Sequence, residues 1–276
     1  MLVELAIADA YGAPFENATA AYVEAHNTGQ AYALQPGIPQ GVYTDDTQMT
    51  LAIAEALVSN DPWTPETLAE RFVDVYHRDP HDGYAPRFQQ LLGDVRDGAE
   101  LLSRLKPDSD KSGAAMRAAP VGLLPDVAEV LRRTDVQARI THDTPAGVEA
   151  AQAAALAVHY CHYRLGPVAE LARWIDGKLP GDWAEPWTGR VGSKGWMSVR
   201  AALTALVAHR SLAELLRACI AFTGDTDTVA VVALAAASRS AEYLQDLPYP
   251  LLSGLENGPF GRGHLWELDL KLLGAA

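Results

Sequence analysis

The chain has 276 residues, enough for one large domain or two small ones, and its 49% hydrophobic and 21% charged residues are ordinary for a globular protein. The formal net charge of −13 argues against a general affinity for nucleic acid or anionic membranes, because both require a basic surface. The chain has two cysteines, no basic leader and no apolar run long enough to span a membrane. We therefore expect a cytoplasmic monomer without a disulfide framework.

Apolar, alanine-rich segments predict helices along most of the chain, because alanine is the best helix former. Thr64 before Pro65 and Thr144 before Pro145 are typical helix starts. Alternating runs of β-branched and aromatic residues hardly occur, so no strand is predicted. The sequence thus predicts a single all-α domain over residues 1–276. The predicted helices are Leu2–Tyr11, Thr47–Ser59, Pro65–Tyr76, Pro86–Asp97, Gly113–Gly122, Pro125–Thr134, Pro145–Tyr163, Val168–Gly177, Val199–His209, Ser211–Ile220, Thr228–Leu244 and Leu265–Leu273. The predicted loops are Glu16–Val42, His77–Ala85, Leu105–Ser112, Pro180–Gly195 and Pro248–His264.

Two short clusters of Thr and Asp each lead into an apolar helix. The first, TDDT, contains Asp45 and Asp46, and the second, GDTDT, contains Asp225 and Asp227. Capping and the helix dipole explain one acid at each helix start. They explain a second acid poorly, because adjacent carboxylates repel each other and a cap uses only one. Brought together, these carboxylates and hydroxyls would suit a hard divalent cation. The pattern therefore favours two halves of one metal site over simple capping.

Three further polar residues each have an ordinary structural interpretation. Glu16 follows the first helix in a loop, where a solvated surface residue is the ordinary reading. Arg117 is the single charge among small residues in SGAAMRAAPVG, which fits either a close ligand or tight helix packing. His142 stands just before a helix, where capping or packing is the more common role.

Taken in chain order, these motifs resemble the ADP-ribosylglycohydrolase family. LAIADAYGAPFE is similar to its N-terminal Gly-Asp-Ala-x-Gly segment with a downstream glutamate, and TDDT and GDTDT match its two acidic motifs. The segments RDPHDGYAPRF, SGAAMRAAPVGLL, ITHDTPAG and GLENGPFGRGHLWELD are similar to its intervening and C-terminal segments, so that the resemblance covers nearly the whole chain. The chain departs from the family pattern at Ala8 and Thr223, where glycine is usual, and at Ser112, where asparagine is frequent.

The resemblance implies a compact all-α fold with two Mg²⁺ ions, or alternatively Mn²⁺, in a central cleft. The catalytic candidates are Glu16, as a mobile acid near the metals, and Asp46; the choice of general base between Glu16 and a ligand aspartate stays open. His142 would lie near the phosphates or ribose of ADP-ribose. The residues that would pack against ADP-ribose are Gly113, Ala114, Ala115 and Met116. The implied metal ligands are Thr44, Asp45, Asp46, Asp225, Asp227 and Thr228.

The implied activity is hydrolysis of the glycosidic bond between ADP-ribose and an acceptor, with an ADP-ribosylated protein as the expected substrate and ADP-ribose as the product. The acceptor stays open among arginine, serine, other side chains, nucleic-acid bases and small molecules. One rival is another di-metal enzyme, such as a phosphohydrolase or a prenyl-diphosphate enzyme; the latter usually needs a third acid that DDTQM lacks. The other rival is a non-catalytic relative, since the family includes lens crystallins. The presence of every implied metal ligand favours an enzyme.

Overall fold

The computed structural model describes residues 1–274, and within this range the regular secondary structure is entirely helical. This confirms the all-α prediction. Three 3-10 segments occur at Ala13–Phe15, Ala119–Leu123 and Val168–Glu170. The fifteen α-helices in the described range are α1 Leu2–Gly12, α2 Ala20–His26, α3 Asp45–Val58, α4 Pro65–Arg78, α5 Pro86–Asp94, α6 Gly98–Arg104, α7 Gly113–Met116, α8 Val127–Arg139, α9 Pro145–Tyr163, α10 Leu171–Asp176, α11 Gly195–Ala208, α12 Leu212–Ala221, α13 Thr226–Ala237, α14 Tyr249–Gly254 and α15 Arg262–Gly274.

Helix α13 lies at the centre of the molecule. Its sequence TDTVAVVALAAA is apolar on all sides, and all of its residues are buried. Helices α1, α9, α11 and α12 pack around it. A helix without a polar face is stable only when other helices cover it completely. The second Thr/Asp cluster therefore stands at the start of the most enclosed helix.

A close contact between α1 and α13 is made possible by Gly12. A Cβ atom on Gly12 would lie 2.6 Å from the Cα atom of Asp227. Any side chain at this position would push the two helices apart, because real Cβ contacts are longer. The end of α1 is thus held against the first turn of α13, beside the second acidic cluster.

Helix α3 is joined to α4 and α15 by charged residues that gather around the buried Glu55. Glu55 of α3 accepts hydrogen bonds from Arg78 of α4, at 2.6 and 2.9 Å, and from His264 of α15 at 3.0 Å. The Arg78 guanidinium also lies over the ring of Phe260, 3.9 Å from its centroid. These contacts fix the far end of α3, so that its first turn has a defined position in the site.

Three short helices were not predicted from the sequence. Helices α2 and α14 lie in the predicted loops Glu16–Val42 and Pro248–His264, and α6 lies in an unassigned segment. Their helical periodicity is too short to be distinctive, and side-chain caps help to define two of them. Thr19 accepts a hydrogen bond from the Tyr22 amide at the start of α2, and Asp97 accepts one from the Glu100 amide at the start of α6.

Several predicted boundaries were also wrong. The predicted helix Thr228–Leu244 begins two residues earlier and ends at Ala237, where the apolar run gives way to Ser and Arg. The predicted helix Gly113–Gly122 is broken into α7 and a 3-10 segment, because Pro120 cannot donate the hydrogen bond that a continuous helix needs. None of the helices within residues 1–274 is long and apolar enough to cross a membrane.

Candidate metal centre and cleft

A cleft of about 1330 Å³ opens over the N-terminal turns of α3, α7 and α13. A cleft larger than most pockets for drug-sized ligands has room for a dinucleotide-sized molecule. Helix α5 and the segment before α7 contribute much of the rim. Among the predicted site residues, those that line the cleft are Glu16, Asp45, Asp46, Gly113, Met116, His142, Asp225, Asp227 and Thr228.

The two acidic clusters meet in the floor of this cleft. The Thr228 hydroxyl donates a hydrogen bond to Oδ1 of Asp46 at 3.2 Å, although the residues are 182 positions apart in the sequence. Both side chains are buried. The structure therefore brings the starts of α3 and α13 together, as the sequence pattern predicts.

A second group of acids lies on the α13 side of the floor. Carboxylate oxygens of Glu16, Asp225 and Asp227 all lie within 4.8 Å of one another. Asp225 and Asp227 belong to the predicted ligand set, whereas Glu16 reaches the group from the loop that follows the first 3-10 segment. Such an oxygen-only group has the donor chemistry that Mg²⁺, Mn²⁺ or Ca²⁺ prefers.

The acids of the floor lie together without a positive partner among residues 1–274, so that their charged forms are disfavoured. Burial raises the pKa of Asp46 well above its ordinary value, and the nearby Asp227 and Asp45 raise it further. Burial also raises the pKa of Asp227, and so do the charges of Glu16 and Asp225. Among the ion pairs of residues 1–274, none includes an aspartate of the two clusters. A divalent cation would supply the missing positive charge, so the residues present fit such an ion.

Asp225 and Glu16 are in different surroundings. Burial raises the pKa of Asp225, although the hydroxyls of Ser198 and Ser112 oppose the shift. The Ser198 hydroxyl donates to Oδ2 of Asp225 at 2.7 Å. Glu16 as a whole residue is exposed, but its carboxyl group faces the buried acids, and burial together with the charge of Asp225 raises its pKa.

Asp9 is a buried acid beside the site that the sequence did not mark as functional. It accepts hydrogen bonds from the amides of Thr44 and Thr47, both at 2.9 Å. It also accepts them from the two hydroxyls, at 2.5 Å from Thr44 and 2.6 Å from Thr47. Thr44 is the predicted ligand that lies outside the cleft lining, and it is held instead against Asp9. The signal for Asp9 was an acid in the middle of the apolar run LAIADAYG of α1.

The predicted substrate-binding segment is divided between two environments. Gly113 and Met116 line the cleft, whereas Ala114 and Ala115 are buried and are not among the lining residues. Positions three apart share one face of a helix, which explains why the first and last residues of α7 face the same way. Ala114 and Ala115 lie on the sides of α7 that pack into the protein.

The family model of the ADP-ribosylglycohydrolases matches residues 1–276, which is the whole chain. The chain belongs to the ADP-ribosylglycohydrolase family. Three similar proteins show how far this likeness extends along individual chains. The ADP-ribosylhydrolase ARH3 of Xenopus tropicalis is 33% identical over an alignment 146 residues long that covers 49% of this chain and 41% of that protein. The human ADP-ribosylhydrolase ARH3 is 30% identical over an alignment 172 residues long that covers 54% of this chain and 47% of that protein.

An uncharacterized protein of Archaeoglobus fulgidus is 29% identical over 57% of this chain and 53% of its own length. The matched segments thus span about half, or less, of the length of these relatives. A solved structure described as an ADP-ribosylglycohydrolase-related protein complex has a TM-score of 0.75. It is 24% identical and covers 99% of this chain and 95% of its own. This structural likeness establishes the shared fold.

Proposed function

We propose that this protein is a divalent-metal-dependent hydrolase that cleaves the glycosidic bond between ADP-ribose and an acceptor. The observation that carries the proposal is the Thr228–Asp46 contact, which joins two acidic clusters in the floor of a large cleft. Family membership links this arrangement to ADP-ribosyl chemistry. The relatives named ADP-ribosylhydrolase support an ADP-ribosylated substrate, and we propose an ADP-ribosylated protein as its class.

We assign the metal site to the acids of both clusters, together with the hydroxyls of Thr44 and Thr228. Bound there, Mg²⁺ or Mn²⁺ ions would supply a Lewis acid that holds ribose hydroxyls and lowers the pKa of water. The raised pKa values of Asp46 and Asp227 support this assignment, because they reflect buried, mutually repelling acids that a cation would stabilise in the charged form. The number of ions that we propose is two.

Glu16 is the proposed acid or base of the reaction. Glycoside hydrolysis passes through an oxocarbenium-like transition state and needs a group that can move a proton to the leaving acceptor or from the attacking water. A glutamate with a raised pKa is better matched to this task near neutral pH than an ordinary glutamate. Asp46 is the alternative general base, because it lies in the same floor and accepts only from Thr228.

A turnover panel tests the proposed function. Peptides carrying ADP-ribose on arginine or on serine, ADP-ribosylated nucleic acid and small ADP-ribosyl conjugates would each be incubated with Mg²⁺ and with Mn²⁺. Released ADP-ribose would be quantified, with Asp46→Asn as the matched control for the metal site. We expect metal-dependent release from at least one substrate and none from the variant. Metal and ADP-ribose binding without any turnover would support the non-catalytic alternative, and hydrolysis of a phosphate ester instead would support the other di-metal hydrolase.

A further inference from the structure

Arg117 is a fully buried cation whose partners are all uncharged. Its Nε donates to Oε1 of Gln137 at 2.6 Å, and its Nη1 donates to the Gly113 carbonyl at 3.0 Å. Its Nη2 donates to the hydroxyl oxygen of Thr141 at 2.8 Å. The guanidinium also lies 4.7 Å from the ring centroid of Phe72. A buried charge without a carboxylate partner is costly, so its position beside the cleft calls for a role beyond packing.

The hydrogen bond from Arg117 restricts the group to which the Thr141 hydroxyl can donate its own proton. A guanidinium can only donate, so it occupies a lone pair of the Thr141 oxygen. The same oxygen lies 2.6 Å from Nδ1 of His142. If the Thr141 proton points to Nδ1, the imidazole carries its own proton on Nε2 and a single buried group, that N–H, lacks a partner. If Nδ1 carried the proton, both the Thr141 hydroxyl hydrogen and the Nε2 lone pair would be unpaired. The first arrangement leaves fewer buried groups unsatisfied.

The charge state of His142 agrees with this arrangement. Burial, together with the positive charge of Arg117, lowers its pKa to about 3 against the opposing effect of Asp110. The imidazole is therefore neutral near pH 7 and carries one proton. That proton can be assigned to one nitrogen.

Within residues 1–274 the Nε2 atom of His142 is buried without a hydrogen-bond partner, and it lies next to Gly113. A Cβ atom on Gly113 would lie 3.0 Å from Cε1 and 3.3 Å from Nε2 of His142. The absence of a side chain at Gly113 thus leaves room beside the donor. Gly113 and His142 both line the cleft. A ligand oxygen seated against Gly113 would find a donor that the protein itself leaves unused.

We propose that Arg117 is a positioning residue that acts through Thr141. It fixes His142 as the Nε2–H tautomer, and this neutral imidazole donates a hydrogen bond to an oxygen of the ligand at Gly113. The identity of that ligand as an ADP-ribosyl group rests on the proposed function. The tautomer itself does not rest on it.

The tautomer can be measured without a substrate. Protein labelled with ¹⁵N at histidine would be studied by long-range ¹H–¹⁵N correlation, with His142 assigned from the signals lost in His142→Gln. We expect a pure Nε2–H pattern in the wild type, with Nδ1 far downfield. Thr141→Val keeps the shape but removes the relay hydroxyl, so it should give a mixture of tautomers, and Thr141→Ser should restore the pure pattern. Thr134→Val is the matched control, because Thr134 is equally buried on α8 and its hydroxyl has no partner. It should leave the His142 signals unchanged. An Nδ1–H pattern in the wild type, or a pure Nε2–H pattern in Thr141→Val, would overturn the proposal.

Ligand binding tests the donor itself. ADP-ribose should shift the Nε2 signal, and its Kd should weaken by about tenfold in Thr141→Val, the scale of one lost hydrogen bond. The affinity for Mg²⁺ should stay unchanged, which shows that the acidic floor is intact. A shift with ADP as well assigns the acceptor oxygen to a phosphate, and a shift with ADP-ribose alone assigns it to the distal ribose. ADP-ribose binding that leaves the Nε2 signal unmoved would refute donation to the ligand. A protein with the pure tautomer that hydrolyses nothing in the turnover panel would contradict the proposed function and leave the relay standing.

Discussion

Glu16 joins an exposed backbone position to a carboxyl group that faces buried acids. The next residue, Asn17, has a left-handed backbone with φ of 54° and donates its backbone amide to the Gly224 carbonyl at 2.9 Å. Its side chain donates to Oε1 of Glu16 at 3.0 Å and accepts from Arg190 at 2.7 Å. Glu16 therefore lies in a loop that is fixed by contacts with other loops and not by helical hydrogen bonds. A side chain in such a loop can move more freely than one at a helix start.

We predict that Glu16→Gln separates catalysis from metal binding. The substitution removes the charge and keeps the size of the side chain. The affinity for Mg²⁺ should stay within a few-fold of wild type, because the cluster aspartates remain. The kcat should fall by about 100-fold or more, the scale expected for losing general acid–base help. Calorimetry and turnover on one preparation check this. An unchanged kcat would identify Glu16 as a surface residue, and a parallel loss of metal affinity would identify it as a ligand.

Thr223 has a backbone conformation that is costly for its residue type. Its φ is 62°, in the left-handed region, where a β-branched residue is an outlier. This is also a position where the family pattern has glycine. We predict that Thr223→Gly raises the free energy of unfolding by up to about 1 kcal/mol, since the relieved strain is partly offset by the entropy of glycine. Urea unfolding measures the change. Thr223→Ala removes the β-branch but keeps the Cβ atom, so it should give a smaller gain; equal gains in both variants would contradict the argument that the Cβ atom causes strain.

At the scale of elements, the start of α3 depends on an acid from another helix. Thr44 stands at the N-cap position of α3 but makes no capping bond with its side chain, and Asp9 of α1 binds the first turn instead. The Asp9 carboxylate is fully buried and accepts all of its bonds from Thr44 and Thr47. The position of the first acidic cluster is thus tied to α1.

We predict that Asp9→Asn destabilises the protein by roughly 3 kcal/mol, because an amide donor would face groups that donate to a buried carboxylate. The affinity for Mg²⁺ should fall as well, since Thr44 loses its orientation. Asp126→Asn is the matched control: Asp126 caps α8 from an exposed position, and asparagine caps about as well as aspartate. Chemical denaturation compares the two variants. Similar small losses in both would show that Asp9 is an ordinary cap.

The contacts of Glu55 with Arg78 and His264 connect α3, α4 and α15, and their contribution to stability depends on pH. Burial alone would raise the pKa of Glu55, but hydrogen bonds from His264 and Arg78 outweigh it and lower the pKa to about 2. A lowered pKa in the folded state stabilises the protein above the ordinary pKa of glutamate, and this stability is lost as the pH falls toward the folded-state value. We predict that Glu55→Gln lowers the free energy of unfolding by roughly 3 kcal/mol at neutral pH, with the difference shrinking below about pH 5.

Denaturant unfolding at several pH values checks the Glu55 prediction. Glu129→Gln is the control, since Glu129 also has a pKa lowered to about 2 by its hydrogen bonds from Arg132 and Arg133, but its side chain is 43% exposed against 11% for Glu55. Exposed ion pairs contribute little to stability, so this variant should behave like the wild type. A Glu55 effect that is the same at every pH would show that the cluster acts through packing alone.

How far an element could be predicted depended on where its determinants lie in the sequence. Helix α9 was predicted with its observed bounds, because Thr144, Pro145 and the long alanine-rich run are local signals. The gathering of the two acidic clusters was also predicted, because both lead into apolar helices and capping explains only one acid at each helix start. Helix α6 was missed because its Asp97 cap precedes only seven helical residues. Asp9 and the relay from Arg117 to His142 could not be predicted, because their partners are fixed by packing between distant elements.

At the scale of the whole molecule, the acidic floor that serves the proposed metal binding also lowers the stability of the fold. The floor lies between the most buried helix, α13, and the start of α3, so its charge repulsion acts on the centre of the fold. The oligomeric state does not enter this argument, because all of the acids come from one chain. The fold should therefore be weakest when the floor carries no cation.

We predict that Mg²⁺ or Mn²⁺ stabilises the wild-type protein by mass action, because an ion that binds only the folded state raises its stability. At an ion concentration of about 100 times Kd the gain is about 2.7 kcal/mol, which should raise Tm by on the order of 5 °C or more.

The variant Asp46→Asn should change Tm in opposite directions with and without the metal. The amide removes one buried charge and with it repulsion from Asp227, so in chelator the variant should melt above the wild type. In saturating Mg²⁺ the order should reverse, because the variant has lost a ligand. Melting curves of both proteins under both conditions measure this exchange of order. Parallel responses to the metal, or a variant that melts lower in chelator as well, would show that Asp46 is a structural residue and not part of a shared cation site.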